Sequence, residues 1–120
     1  LLLLADAARF ADDRAAATYA FRALIERFPK DRRAGDAIFA LGVLTLESEA
    51  EMPQAARRFE DYLSRWPDGP LAREAQGRLI EALWRAGNTA EARRAAANYQ
   101  QRHPDGPHAG LAQRVLAGPP

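Results

Sequence analysis

A ring residue followed by proline occurs three times in this chain at a nearly constant spacing. The pairs are Phe28-Pro29, Trp66-Pro67 and His103-Pro104, and their prolines stand 38 and 37 residues apart. A fixed period of this length is typical of proteins built from stacked structural repeats, in which each unit packs on its neighbours. The spacing therefore predicts a serial repeat architecture rather than one central core.

Small and apolar residues keep the same places relative to each proline. At five, eight and twelve residues before and after it, the chain has only Ala, Leu, Phe or Tyr. These intervals follow one face of a helix, so each period is expected to hold two helices. Small side chains let paired helices approach closely, and the positions expected there are Ala37, Ala55, Ala75 and Ala92. The rings expected to fill the space between pairs are Phe21, Phe59 and Tyr62.

The periodicity and the turn residues together predict seven helices and no strand. Their approximate ranges are 1–10, 13–28, 31–48, 53–65, 70–86, 89–102 and 107–117. No segment alternates with the period of two that a half-buried strand requires. The acidic stretch 47–53 is expected to be a longer turn between two helices.

Capping residues support these boundaries. Asp31 and Asn88 are expected N-caps, as is Asp12 or Asp13 for the helix that runs to Phe28. Gly87 is expected to stop a helix in the left-handed conformation. We call the segment that begins at each of the three repeated prolines a joint. The second and third joints have the same sequence, Pro-Asp-Gly-Pro, at residues 67–70 and 104–107. Their second prolines, Pro70 and Pro107, are expected at the first helical position, where no amide donor is needed.

This pattern resembles the tetratricopeptide repeat, which has a small residue on its first helix, Ala and an aromatic on its second, and a closing Pro. In the middle period these places are held by Gly42, Ala55, Phe59 and Pro67. In the first period they are held by Ala5, Ala17, Phe21 and Pro29, and in the third by Ile80, Ala92, Ala96 and Pro104. The chain departs from the family in having Leu24, Tyr62 and Tyr99 where a small residue is usual. Its period also exceeds the family's usual length of about 34 residues.

The resemblance implies an all-α fold, a right-handed α–α superhelix of about three helix pairs closed by a C-terminal capping helix. One domain would span residues 1–120, with repeats at 1–29, 30–67 and 68–104 and the cap at 105–117. The longer period and its joints look like the repeats of bacterial cell-envelope proteins, in particular the periplasmic Tol–Pal-associated coordinator and the outer-membrane-assembly lipoproteins. A location in the bacterial periplasm or envelope is an expectation from this resemblance alone.

In such stacks the first helix of each pair lines a concave groove, which is expected to hold a protein or peptide segment. The candidate groove residues are Asp36, Phe39, Val43, Glu74, Arg78, Glu81, Trp84 and Arg85. Large aromatic residues beside arginines have the composition of interaction hot spots. In the alternative interpretation, Trp84 packs under a neighbouring helix instead.

The composition favours binding over chemistry. The net charge of +1 gives no bulk field toward nucleic acid or an anionic membrane, and this fragment is not expected to insert into a membrane. The chain has no cysteine, and its two histidines, His103 and His108, have no ligand cluster around them. There is no glycine-rich phosphate loop and no Ser-His-acid arrangement. We therefore expect no catalytic residues, no metal and no cofactor, and we interpret His103 as a packing substitute for Phe28 and Trp66.

Basic doublets recur at 32–33, 57–58 and 93–94, each with acidic residues nearby. They could form a stripe for an acidic partner, but ordinary pairing along the helix surface is the favoured interpretation.

The chain has no initial Met and begins with four leucines, which indicates a piece of a longer protein that starts inside a helix. The competing interpretation is the tail of a signal or membrane segment. Uncapped repeat ends also support an alternative function. In it the domain is an oligomerisation or spacer module, able to self-associate, of a larger bacterial envelope or membrane-bound regulatory protein.

Overall fold

A computed structural model describes residues 14–118, which form a series of α-helices. The helices are α1 (Arg14–Arg27), α2 (Arg32–Thr45), α3 (Met52–Arg65), α4 (Ala72–Arg85), α5 (Thr89–Arg102) and α6 (Ala109–Ala117). A 3-10 turn at Glu49–Glu51 leads into α3. Residues 14–118 contain no strand. The helix expected at 1–10, and the expected roles of Leu1–Leu4, Ala5, Asp12 and Asp13, lie outside the described residues.

Each helix packs against the next one along the chain, and α4 also packs against α6. This serial packing is the arrangement of a helical solenoid, as the repeat spacing predicts. The all-helical fold expected from the sequence is therefore confirmed for the part of the chain described.

The interior forms two clusters. One lies between α1 and α2 and is built on Phe21, and the larger one runs from α2 to α6. The alanines expected at the helix contacts, Ala37, Ala55, Ala75 and Ala92, are all fully buried. At Gly42 the approach is closer still, because an added Cβ would lie 2.8 Å from the Phe59 ring. Small residues therefore set how closely the paired helices pack.

Two of the expected caps are found as predicted. The Asp31 side chain accepts a hydrogen bond from the backbone N–H of Arg33, and Gly87 has a φ of +82°. Asn88 stands at the N-cap position of α5, but its side chain makes no capping bond there. Instead its Nδ2 donates to Glu91 Oε1 at 2.9 Å.

Three helix boundaries differ from the prediction. Helix α2, predicted at 31–48, ends at Thr45. The chain then turns through residues 46–48 before the 3-10 turn. Pro70 and Pro107 do not occupy the first helical position, since α4 and α6 each begin two residues later. In both joints the glycine carbonyl accepts the N–H of the first helical residue, from Ala72 to Gly69 and from Ala109 to Gly106 at 3.0 Å. These prolines therefore belong to a turn that precedes the helix.

Candidate protein-binding surface

The expected groove residues lie on α2 and α4, each of which is the first helix of its predicted pair. Asp36, Phe39 and Val43 are on α2, and the remaining five are on α4: Glu74, Arg78, Glu81, Trp84 and Arg85. Phe39, Val43 and Trp84 are partly buried and pack against the larger core cluster. Trp84 thus packs against the core and also keeps part of its surface in solvent.

Phe39 is fixed by two buried rings of α3. Its ring meets Phe59 edge to face with centroids 5.6 Å apart, and Tyr62 in the same manner at 6.3 Å. Edge-to-face contacts of this kind hold a ring in one orientation. The exposed part of Phe39 is therefore an apolar feature of α2 that is supported by two rings of α3.

The arginines of this surface are engaged by glutamates. Arg78 Nε lies 3.0 Å from Glu74 Oε2, and Arg85 Nη1 lies 3.0 Å from Glu81 Oε2. Arg78 Nη1 also approaches Glu81 Oε1 at 3.7 Å. The four side chains form a continuous row of alternating charge along α4. An acidic ligand would therefore share these arginines with the glutamates.

Arg85 also pairs with Glu49, which lies 36 residues earlier in the chain. This hydrogen bond is the main reason that the pKa of Arg85 is raised. The contact ties the end of α4 to the 3-10 turn that follows α2. Sequence reasoning missed Glu49, because the acidic stretch around it signalled only a turn.

Asp36 and Glu74 stand at the same place relative to Pro29 and Pro67, but their surroundings differ. Glu74 is bound by Arg78, whereas Asp36 makes no ion pair with any described residue. Asp36 is the acid on this surface whose carboxylate is left open to a partner.

The two histidines pack as rings. His103 lies on Tyr99 with centroids 5.3 Å apart, just as Trp66 lies on Tyr62 at 5.6 Å. His108 meets Tyr99 edge to face with centroids 6.0 Å apart. Residues 14–118 contain no group of three or more His, Cys, Asp or Glu that could hold a metal ion.

Ordinary pairing along the helix surface, the favoured interpretation of the basic doublets, is found as an ion pair in one of them. Arg33 pairs with Asp31 at 3.1 Å, as expected. The other five arginines of the doublets make no ion pair in the described part of the chain: Arg32, Arg57, Arg58, Arg93 and Arg94.

Residues 1–31 match a family model described as "Tetratricopeptide repeat". This region coincides closely with the first predicted repeat, and together with the helical stack it supports a tetratricopeptide repeat protein. No curated protein matches the sequence. Among residues 14–118, no helix is both long enough and apolar enough to cross a membrane.

Proposed function

We propose that this chain is a non-catalytic scaffold that binds a protein or peptide segment along its first helices α2 and α4. Tetratricopeptide repeats commonly mediate contacts between proteins. The observation that carries the proposal is that Phe39, Val43 and Trp84 remain partly exposed on these helices. A segment with apolar side chains would bury them further, which is favourable by about 25 cal/mol for each Å² removed from water.

The charged row on α4 would give the surface its selectivity. Arg78 and Arg85 each keep donor atoms beyond those that the glutamates engage, because a guanidinium has five N–H donors. A ligand carboxylate could therefore join the row without breaking it, while Asp36 favours a basic residue near α2. We propose a ligand of mixed charge with apolar anchors, rather than a purely acidic one.

The wider setting of this scaffold follows the resemblance. We propose a role in bacterial envelope assembly or regulation, supported by the long period and the two Pro-Asp-Gly-Pro joints. Fractionation of cells that express the tagged parent protein would test it, and recovery of the protein in the cytosol would contradict it.

A capture experiment tests the binding surface. The immobilised domain is exposed to a lysate of its source organism, beside two variants verified as folded by circular dichroism. The site variant is Phe39→Ala/Trp84→Ala, and the matched control is Tyr19→Ala/Phe28→Ala, which removes two exposed rings elsewhere. A protein held by the parent and the control but lost by the site variant would support the proposal.

The charges are tested with Arg78→Glu/Arg85→Glu, which should weaken retention of the same protein without unfolding the domain. Equal retention by every variant would contradict the assignment to the first helices. If the captured protein is the chain itself, light scattering over a concentration series would reveal self-association and support the oligomerisation alternative.

A further inference from the structure

Helices α1, α3 and α5 are the second helices of the predicted pairs. They carry most of the arginines that form no ion pair within the described part of the chain. Helices α1, α3 and α5 hold nine arginines and four acidic residues. Only three of these arginines form ion pairs, and they are Arg14, Arg65 and Arg102. The other six form no ion pair within the described part of the chain, whereas Arg78 and Arg85 of α4 are paired.

Two of these unpaired arginines share one cleft. Arg22 of α1 and Arg58 of α3 line a cavity of about 340 Å³ between the two helices. Its other lining residues are Ile25, Glu26, Asp61 and Arg65. The carboxylate of Asp61 is held by Arg65 Nε at 2.9 Å, so it forms no ion pair with Arg58.

The two like charges are only partly compensated by the acids of the cleft. Burial lowers the pKa of Arg58 and the positive charge of Arg22 lowers it further, while the negative charge of Asp61 raises it by less. Arginine stays protonated in proteins all the same, so part of the repulsion between the two guanidinium groups remains. A carboxylate bound beside them would lower this repulsion, with the charge-assisted hydrogen bonds that arginine forms best.

We propose that the Arg22–Arg58 cleft is a second binding site, which takes an acidic segment of a partner protein. It lies on the second helices and is separate from the proposed surface on α2 and α4. The lining favours a peptide over a nucleic acid, because a peptide can place a carboxylate near the arginines and keep neutral residues near Glu26 and Asp61, whereas a nucleic acid carries a charge on every nucleotide. Ile25 gives an apolar contact that a protein side chain can use and a free phosphate cannot.

The test measures fluorescence anisotropy with a short labelled peptide of Glu-Glu-Leu repeats. The parent domain is compared with Arg22→Gln/Arg58→Gln and with Arg57→Gln/Arg94→Gln. The second variant removes the same charge from unpaired arginines of α3 and α5 that do not line the cleft. Competition with inorganic phosphate and with single-stranded DNA distinguishes the other anion sources, and a Gln-Gln-Leu peptide shows whether the carboxylates are needed.

We expect the affinity for the acidic peptide to fall at least about tenfold in Arg22→Gln/Arg58→Gln and less than about twofold in Arg57→Gln/Arg94→Gln. Phe39→Ala/Trp84→Ala should bind the acidic peptide like the parent, so that failure of one site is distinguishable from failure of the other. An equal loss of peptide affinity in both arginine variants would show that only the overall positive charge matters, and it would overturn the site. Absence of binding by the parent would overturn it too, as would displacement of the peptide by phosphate or DNA at comparable concentration.

Discussion

The hydroxyl of Tyr62 accepts a hydrogen bond from the backbone N–H of Leu71 at 3.1 Å, and the same bond recurs one period later. There the hydroxyl of Tyr99 accepts from the N–H of His108 at 3.0 Å. Leu71 and His108 are the N-cap residues of α4 and α6, and neither provides a side-chain cap. A buried tyrosine of the preceding helix therefore satisfies a backbone donor at the start of each of these helices.

The same hydroxyls explain the glycine of each Pro-Asp-Gly-Pro joint. A Cβ at Gly69 would lie 2.6 Å from the Tyr62 hydroxyl oxygen, and one at Gly106 would lie closer still to that of Tyr99. The first joint has Leu24 in place of the tyrosine and Asp31 in place of the glycine. With no hydroxyl to avoid, Asp31 caps its helix directly through the N–H of Arg33 at 2.9 Å. Tyrosine and glycine thus occur together or not at all in these three joints.

Removing the hydroxyl should destabilise the domain. Tyr62→Phe leaves the Leu71 N–H without its partner in a half-buried place, so we expect a loss of about 1–2 kcal/mol in the free energy of unfolding. Urea denaturation monitored by circular dichroism measures it. Tyr19→Phe is the matched control, since Tyr19 is 73% exposed and its loss should stay within about 0.5 kcal/mol. Equal effects of the two substitutions would contradict the capping role.

The pairing of tyrosine with glycine predicts coupled mutations. Gly69→Ala should cost about 1–3 kcal/mol, because the new methyl group overlaps the Tyr62 hydroxyl. In a Tyr62→Phe background the same change should cost less, although the Trp66 Cβ, 2.9 Å from the added atom, still limits the relief. A double-mutant cycle from urea titrations gives the coupling energy, and strict additivity would show that the hydroxyl is not the obstacle.

A glycine with room around it serves as the control for that cycle. A Cβ at Gly110 would have its nearest neighbour, Arg114 Nη1, at 3.8 Å. Gly110→Ala should therefore stabilise α6 by up to about 1 kcal/mol through helix propensity.

Phe59 should be among the most sensitive positions of the core. Its side chain is fully buried against Gly42 and Phe39, so Phe59→Ala should lower the free energy of unfolding by about 3–5 kcal/mol. Phe28→Ala is the control, because Phe28 is 39% exposed and lies beneath Arg33, and it should cost no more than about 1 kcal/mol. Thermal and urea melts of the two variants compare them, and similar losses would contradict the assignment of the core.

The sequence predicts the helices and their small contact residues because both follow from one helical face. Ala37, Ala55 and Phe59 lie where the three- and four-residue steps place them, and all are buried. The tyrosine hydroxyls could not be assigned in this way. Their partners lie nine residues further on, across a joint, and which backbone donor comes within reach depends on how the next helix packs.

The pattern of ion pairs shows a second limit and its physical cause. Asp61 is four residues from both Arg57 and Arg65, and it binds Arg65. An acid that precedes its base by four residues is the better arrangement on a helix, in keeping with the helix dipole. The pairs Glu74–Arg78 and Glu81–Arg85 obey the same order. Arg57 therefore forms no ion pair with Asp61 although the two are close in sequence, because the order of acid and base along the helix decides which arginine Asp61 binds.

His103 should make the stability of the domain depend on pH. Burial lowers the pKa of this imidazole from its ordinary value of 6.5, and the positive charges of Arg102 and Arg73 lower it further. The unfolded chain then takes up a proton at a higher pH than the folded one, so stability falls as the pH drops through 6.5 toward the folded pKa. Below the folded pKa the full penalty is present.

His103→Phe restores the kind of ring found at Phe28 and removes the titrating group, so this variant should lose less stability between about pH 7.5 and pH 5. Urea titrations at several pH values in this window give the slope for each protein. His108 is present in both, so the difference between the two slopes reports on His103 alone. An NMR titration of the parent gives the folded pKa directly, and a value at or above 6.5 would contradict the assigned cause, as would identical slopes for the two proteins.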